Sequence, residues 1–133
     1  MAGVATVVTS LAVTGLGDDI ELTNTKILTV PVAQQGGYTV LKTAGTTALA
    51  LFAMIDHIAL AKIYQVYIKA VVGTVYILLD TAGTTTFAAA AADLVLNVGE
   101  SCTLPINPAG NLGLCIDADG ITSAIKWHIL GKA

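Results

Sequence analysis

The chain has 133 residues, of which 55% are hydrophobic and 11% are charged, with six lysines, no arginine and a formal net charge of -3. Clustered lysine and arginine are needed to hold a phosphate backbone or an anionic membrane surface, so this composition argues against both partners. The length predicts one domain with a hydrophobic core of its own.

The surplus of apolar residues needs a place to be buried. No charge-free stretch reaches the roughly 18–20 apolar residues of a membrane-spanning helix. No lysine or arginine precedes Lys26, so the basic start of a secretory signal is missing. We therefore expect neither a membrane span nor a signal peptide. Burial between subunits is the simplest outcome, because obligate interfaces resemble a domain core cut in half.

β-Strand patterns dominate the chain. Short β-branched and apolar runs are separated by Gly, Pro, Asn and Asp, which is typical of a sandwich or small barrel. Five alanines at 88–92 compete with one of these runs, which we predict as strand or irregular. In chain order the predicted strands are Thr6–Val13, Glu21–Val30, Tyr38–Lys42, Ala48–Ile55, Lys62–Val71, Thr74–Asp80, Thr86–Ala91, Leu94–Val98, Ser101–Ile106, Leu112–Asp117 and Ile121–Leu130. The predicted fold is all-β, an antiparallel β-sandwich of jelly-roll type.

A flexible joint is predicted at Gly15-Leu16-Gly17-Asp18-Asp19, where glycines and acidic residues interrupt the strand pattern. It divides the chain into an N-terminal arm, residues 1–17, and a single β-sandwich domain, residues 18–133. We expect the arm to leave the body of the domain and reach a neighbouring molecule.

The first predicted hairpin turns at Val72-Gly73. Antiparallel pairing of Ile68 with Ile77 gives one apolar face and one mixed face, as a half-buried pair requires. Gly73 would supply the residue with positive φ.

The second predicted hairpin turns at the Asn-Pro-Ala-Gly sequence of residues 107–110. A bulge at Gly110 pairs Cys102 with Ile116 and places the apolar residues on one face. This register directs Cys102 inward and Cys115 outward, and it predicts two free thiols. The alternative is that these two strands lie in different sheets of a jelly roll.

Residues for catalysis are scarce. His57 and His128 are the only histidines, and neither a G-x-S-x-G sequence nor a phosphate-binding glycine loop occurs. Asp56 and His57 would point to opposite faces of a strand, and His128 is expected on the outer face of the last strand. We predict that the chain is not an enzyme and binds no cofactor.

An acidic turn at Asp117-Ala118-Asp119-Gly120 resembles the start of a calcium loop. It lacks the distal glutamate that completes such a loop, so a backbone turn is the favoured interpretation. The sequence leaves open whether Asp117 and Asp119 bind a weak structural cation.

Tyrosines provide the clearest candidate contact surface. Tyr67 and Tyr76 fall on the more exposed face of the first predicted hairpin. They could stack on a sugar, although tyrosine is also enriched in subunit interfaces. We predict an interface in which Tyr64 joins them.

The second half of the chain has a recurring order of motifs. Ile63–Lys69 is followed by Gly73–Ile77, then by Leu94–Ser101 with its Gly-Glu-Ser ending, then by an apolar-Pro segment at Leu104–Ile106 and a closing strand. This order, over about residues 58–131, resembles the β-sandwich auxiliary proteins of tailed-phage virions, the capsid decoration and head-fibre types. The resemblance implies a small sandwich, often trimeric, that binds and reinforces a capsid lattice. It transfers no functional residue.

We therefore expect a structural protein of the virion, a capsid decoration or cement protein that forms a homotrimer. Its expected partner is the major capsid protein or another virion protein, with no nucleic acid and no membrane. The alternatives are a receptor- or glycan-binding tail or fibre module and a self-assembling coat or filament subunit. The predicted interface residues are Ala2, Val4, Val7, Tyr64, Tyr67 and Tyr76.

Overall fold

The computed structural model describes residues 3–15, 17, 20–28, 31–41, 49–56, 58–79, 89–106, 114–118 and 122–132. Strands make up most of this part of the chain, together with three short 3-10 helices at Leu51–Met54, Leu60–Lys62 and Ala89–Ala91. No helix within these ranges is long and apolar enough to cross a membrane.

The strands follow one another with few interruptions. In chain order they are β1 (Ala5–Val13), β2 (Ile20–Leu28), β3 (Pro31–Val40), β4 (Leu49–Ala50), β5 (Ile63–Val72), β6 (Val75–Leu79), β7 (Leu94–Leu96), β8 (Ser101–Pro105), β9 (Leu114–Ala118) and β10 (Ala124–Lys132).

Eight of these strands form two antiparallel sheets that face each other. The first sheet has the order β3-β10-β5-β8 and the second has the order β4-β9-β6-β7. Renumbered from β3, these orders are those of a jelly roll, in which the chain passes repeatedly from one sheet to the other. The predicted all-β jelly-roll sandwich is therefore confirmed.

Alternation along β5 and β10 places the core of the first sheet. Val66 and Ile68 of β5 and Ile129 of β10 have no exposed surface, whereas the intervening Tyr67 and His128 face outward. Tyr67 and His128 are directly opposite each other across the two strands. Successive side chains of a strand point to opposite faces, so one sequence pattern builds both the core and the outer surface.

The core fills the space between the two sheets. Trp127 is its largest side chain, and its indole N–H donates a hydrogen bond to the Thr39 hydroxyl at 3.1 Å. The fully enclosed members of the core include Leu51, Val66, Ile68, Ala70, Val75, Ile77, Ile116, Ala118, Ile125 and Ile129. Burial of one of the larger aliphatic side chains among them stabilises the fold by about 1.5–3 kcal/mol.

The first predicted hairpin is wrong. Ile68 and Ile77 do not pair, because β5 belongs to the first sheet and β6 to the second. Gly73 does adopt the predicted positive φ, at 72°. The short connection carries the chain across the sandwich instead of folding it back within one sheet.

The second predicted hairpin does not form, because β8 pairs with β5 while β9 pairs with β4 and β6. The alternative, in which these two strands lie in different sheets of a jelly roll, is confirmed. Its turn at 107–110 lies outside the described residues. Both thiols are free, as predicted. Cys102 packs against the inter-sheet core, while Cys115 lies on the opposite face of β9 from Ile116. Cys115 is nevertheless fully buried, against Tyr76, Leu78 and Ala92.

β3 and β4 differ most from the predicted strands. β3 begins seven residues before the predicted Tyr38 and passes through Gly36-Gly37, where these glycines leave room for rings on β10. A Cβ on Gly37 would lie 3.1 Å from the Trp127 ring. Among the described residues of the predicted strand Ala48–Ile55, β4 comprises Leu49 and Ala50, and a 3-10 helix follows.

Candidate functional site

The N-terminal segment forms a two-stranded ribbon that does not join either sheet. β1 pairs with β2 from Ala5↔Leu28 to Val13↔Ile20, and neither strand pairs with another strand of the described residues. Gly15 and Gly17, with φ of 78° and 113°, lie between the strands. The two glycines of the predicted joint therefore lie in the connection between β1 and β2.

The ribbon exposes apolar side chains on both faces. Leu11 and Leu22, paired across one face, are 54% and 60% exposed, and Val8 and Ile27 lie exposed on the other. An isolated two-stranded hairpin is at best marginally stable in water, and both of its edges are open for pairing. Such a ribbon gains most of its stability from whatever covers it.

The predicted tyrosine surface does not exist as one surface. Tyr67 faces outward from the first sheet, while Tyr76 lies on the outer side of the second sheet, against Cys115. Their predicted proximity depended on the β5–β6 hairpin, which does not form. Tyr64 lies at the register shift between β5 and β10, where its enclosed hydroxyl has no hydrogen-bond partner among the residues that the structure describes. Burial raises the pKa of Tyr64, so its phenol stays neutral.

The arm residues predicted as contacts have different surroundings. Val4 is strongly exposed just before β1, and Val7 is half-buried. Ala2 lies outside the described residues. Thus Val4 is open to a partner, whereas Val7 is directed to the body of the same molecule.

A groove separates the start of β1 from the outer face of the first sheet. Its volume is about 370 Å³, and residues 5–8 of the ribbon form one wall. Its floor comes from all four strands of the sheet and consists of Gln34, Gln65, Tyr67, Thr103, His128 and Leu130. None of the described residues that line it is charged, so these residues offer amide, hydroxyl and imidazole groups beside one aromatic ring.

His128 has a fixed position on this floor because Gly36 lies opposite it on β3. A Cβ on Gly36 would lie 2.5 Å from Nδ1 of His128, so only glycine lets the imidazole rest over the neighbouring strand. There, Nε2 of His128 lies 3.0 Å from Oε1 of Gln34, at hydrogen-bond distance. Since Oε1 of Gln34 can only accept, the N–H at Nε2 of His128 donates in this pair.

Of the acidic candidates, the structure describes Asp117, which lies in β9. Asp117 is fully buried, and its carboxylate accepts a hydrogen bond from the backbone N–H of Ala118 at 2.9 Å. Asp119 and His57 lie outside the described ranges. Across the part of the chain that the structure describes, no three His, Cys, Asp or Glu residues are grouped as ligands for a metal ion.

The Gly-Glu-Ser motif has a structural role. The Glu100 carboxylate accepts a hydrogen bond from the backbone N–H of Asn97 at 2.7 Å, and Gly99 has a φ of 86°. The backbone of this turn is hydrogen-bonded to Ala70 in both directions. The motif thus carries the chain from β7 in the second sheet to β8 in the first. The motif therefore indicates a connection within the fold and does not indicate a binding site.

Comparison with known proteins adds nothing to the geometry of the site. No family model matches the sequence, and no curated protein matches it either.

Proposed function

We propose that this chain is a structural virion protein, a capsid decoration or cement protein that assembles as a homotrimer and stabilises the capsid lattice. The observation that carries the proposal is the β1–β2 ribbon, which exposes leucine, isoleucine and valine on both faces and stands apart from both sheets. A partner that covers the ribbon would bury apolar surface and complete its strand pairing.

The fold of the sandwich and the composition of the chain also support the proposal. Jelly rolls are recurrent in viral capsid proteins, although the fold alone does not decide a function. The chain contains no arginine and few charges, as suits a protein whose surface is largely covered in an assembly. The resemblance of its second half to virion auxiliary proteins points to the same class.

The mechanism is stabilisation by linkage. A protein that binds the assembled lattice, but not its separated subunits, shifts the equilibrium toward the shell. The ribbon would contribute the contact with the lattice, while the sandwich would hold three ribbons in a fixed arrangement.

Purified particles of the virus that encodes the chain provide the test. We expect mass spectrometry to find the chain in fixed proportion to the major capsid protein, and cryo-electron microscopy to locate three-fold density on the shell. Absence of the chain from particles contradicts the proposal. Density confined to a tail tip favours the receptor-binding alternative instead.

The solution mass of the recombinant chain tests the assembly state. Light scattering after size exclusion should give the mass of three chains of 13.5 kDa each. A monomer contradicts the trimer, and an open-ended polymer favours the coat or filament alternative.

A further inference from the structure

The floor of the groove beside the ribbon includes a polar residue that is largely covered by its neighbours. Gln65 is only 6% exposed, and it lines the floor of the groove. Among the described residues, the Tyr64 hydroxyl is enclosed without a partner but the Gln65 carboxamide is not, so this carboxamide reaches the open space of the groove. There it can exchange hydrogen bonds with a ligand.

The neighbours of Gln65 complete a set of donors and acceptors. Thr103 presents a hydroxyl, and His128 and Gln34 form a hydrogen-bonded pair on the same floor. Tyr67 lies among them with about a third of its surface exposed, so part of its ring is free to stack. Carboxamides both donate and accept, which matches the adjacent hydroxyl groups of a sugar ring.

A pair of lysines lies next to this floor on the same face. Lys69 and Lys126 are directly opposite each other on β5 and β10, two residues along the strands from Tyr67 and His128. Like charges in this arrangement repel each other. Neither lysine forms an ion pair or a hydrogen bond within the described ranges. An anion placed between them would relieve the repulsion.

We propose that the outer face of the first sheet binds a short acidic saccharide, with its hydroxyl groups in the groove and its carboxylate at Lys69 and Lys126. The ring rests on Tyr67, and the hydroxyls meet Gln65 and Thr103. This site goes beyond the capsid role proposed above, because its floor lies on the sandwich, while Leu11 and Leu22 toward the opposite end of the ribbon would contact the lattice.

A saccharide fits this site better than a peptide does. Peptides that recognise β-sheets pair with an exposed edge, where backbone groups are free. The groove lies on a sheet face, where the backbone of β5 and β10 is already paired on both sides. Side-chain amides, hydroxyls and an aromatic ring are what this face offers, and these groups recognise polyhydroxylated rings.

The test uses the full-length recombinant chain and three matched pairs of probes. These are the methyl glycosides of glucose, galactose and mannose and the corresponding methyl uronides, in which a carboxylate replaces the terminal hydroxymethyl group. Proton–nitrogen NMR spectra follow the side-chain amide of Gln65 and the backbone amides of Tyr67 and His128. We expect at least one uronide to shift these signals and to bind about tenfold more tightly than its neutral partner, since hydrogen bonds to charged groups are the stronger ones.

Variants separate the two parts of the site. Gln65→Leu and Tyr67→Ala should weaken the uronide and the neutral glycoside alike. The double variant Lys69→Gln, Lys126→Gln should abolish the preference for the uronide. The controls are Tyr76→Ala, on the outer side of the other sheet, and the double variant Lys62→Gln, Lys132→Gln, which removes the same charge elsewhere.

Other outcomes overturn the proposal. If no probe shifts the three reporter amides, the site does not bind saccharides. Equal binding of uronide and neutral glycoside removes the role of the lysine pair, and equal losses in the control variants remove the assignment to this face. A glutamate-containing tetrapeptide that binds as tightly as the uronide indicates an acidic peptide instead.

Discussion

The sandwich and the ribbon contain the same kinds of apolar side chain in opposite environments. Ile68 and Ile129 of the sandwich have no exposed surface, whereas Leu11 and Leu22 of the ribbon are more than half exposed. The chain therefore encloses part of its hydrophobic surplus in the core and leaves another part exposed, on the ribbon and at scattered sandwich positions such as Leu60 and Val98. This difference is the basis for the proposal that the ribbon is a contact surface.

The largest expected contrast comes from truncating one side chain in each region. Ile129→Ala should lower the free energy of unfolding by about 2–5 kcal/mol, because it leaves a cavity between the sheets. Leu22→Ala on the ribbon should change it by less than about 0.5 kcal/mol. Urea unfolding of the two variants measures both values, and similar losses would show that the ribbon belongs to the cooperative unit.

The next contrast compares the removal of a threonine hydroxyl beside the core with the same change on the ribbon. Thr39→Val keeps the shape of the side chain but removes the acceptor of the Trp127 indole hydrogen bond. A buried donor without a partner costs about 1–3 kcal/mol. The matched variant Thr23→Val, at an exposed ribbon position, should have almost no effect in the same urea experiment. Unchanged stability in Thr39→Val would mean that the indole finds another acceptor.

A smaller effect is expected at Gln65. Gln65→Leu should change the free energy of unfolding by less than about 0.5 kcal/mol, because the Gln65 carboxamide reaches the groove and is not an enclosed polar group. Gln35→Leu is the control, since Gln35 accepts a hydrogen bond from the backbone N–H of Asp56 at 3.2 Å. The control should lose stability. A loss in Gln65→Leu as well would assign Gln65 a structural role.

The smallest effect concerns the Cys102 thiol, whose pKa is raised by burial. The folded state therefore keeps this proton at pH values where the unfolded chain has lost it. The contribution of the thiol to stability is full below the ordinary thiol pKa and is lost as the pH rises toward the raised value. Thermal unfolding between neutral and alkaline pH should show a decline that is smaller in Cys102→Ala. An identical decline in both proteins would contradict the shift.

The strands were predictable because their signals are local. Alternation in β5 and β10 is contained within each strand, so the inward position of Val66 and the outward position of His128 could be predicted from the sequence. The fold class followed from the number of such runs and from the turn residues between them.

Pairing between strands was not predictable in the same way. The sequence around Gly73 suits both a hairpin and a crossing between sheets, since both need a residue with positive φ. The choice depends on the partners of β5 and β6, which come from β10 and β9 far along the chain. Nothing near the turn specifies them.

The groove could not be predicted, because its floor collects one or two residues from each of four strands and its wall comes from the ribbon. Two signals were present in the sequence. Gln65 and His128 are polar residues in the middle of apolar strands, and each becomes informative only when its neighbours are known. The predicted tyrosine surface failed for the same reason.

The central claim is that the ribbon is the contact with the lattice. Its most direct test is the attachment of recombinant chain to particles from which the native protein has been removed. The variant carries Leu11→Ser and Leu22→Ser, and the control carries Val98→Ser at a similarly exposed position in the turn before β8. We predict that the ribbon variant attaches at least about tenfold more weakly, since two leucines no longer become buried, while its melting temperature and the attachment of the control are unchanged. Equal attachment of the ribbon variant and the unaltered chain would contradict the account.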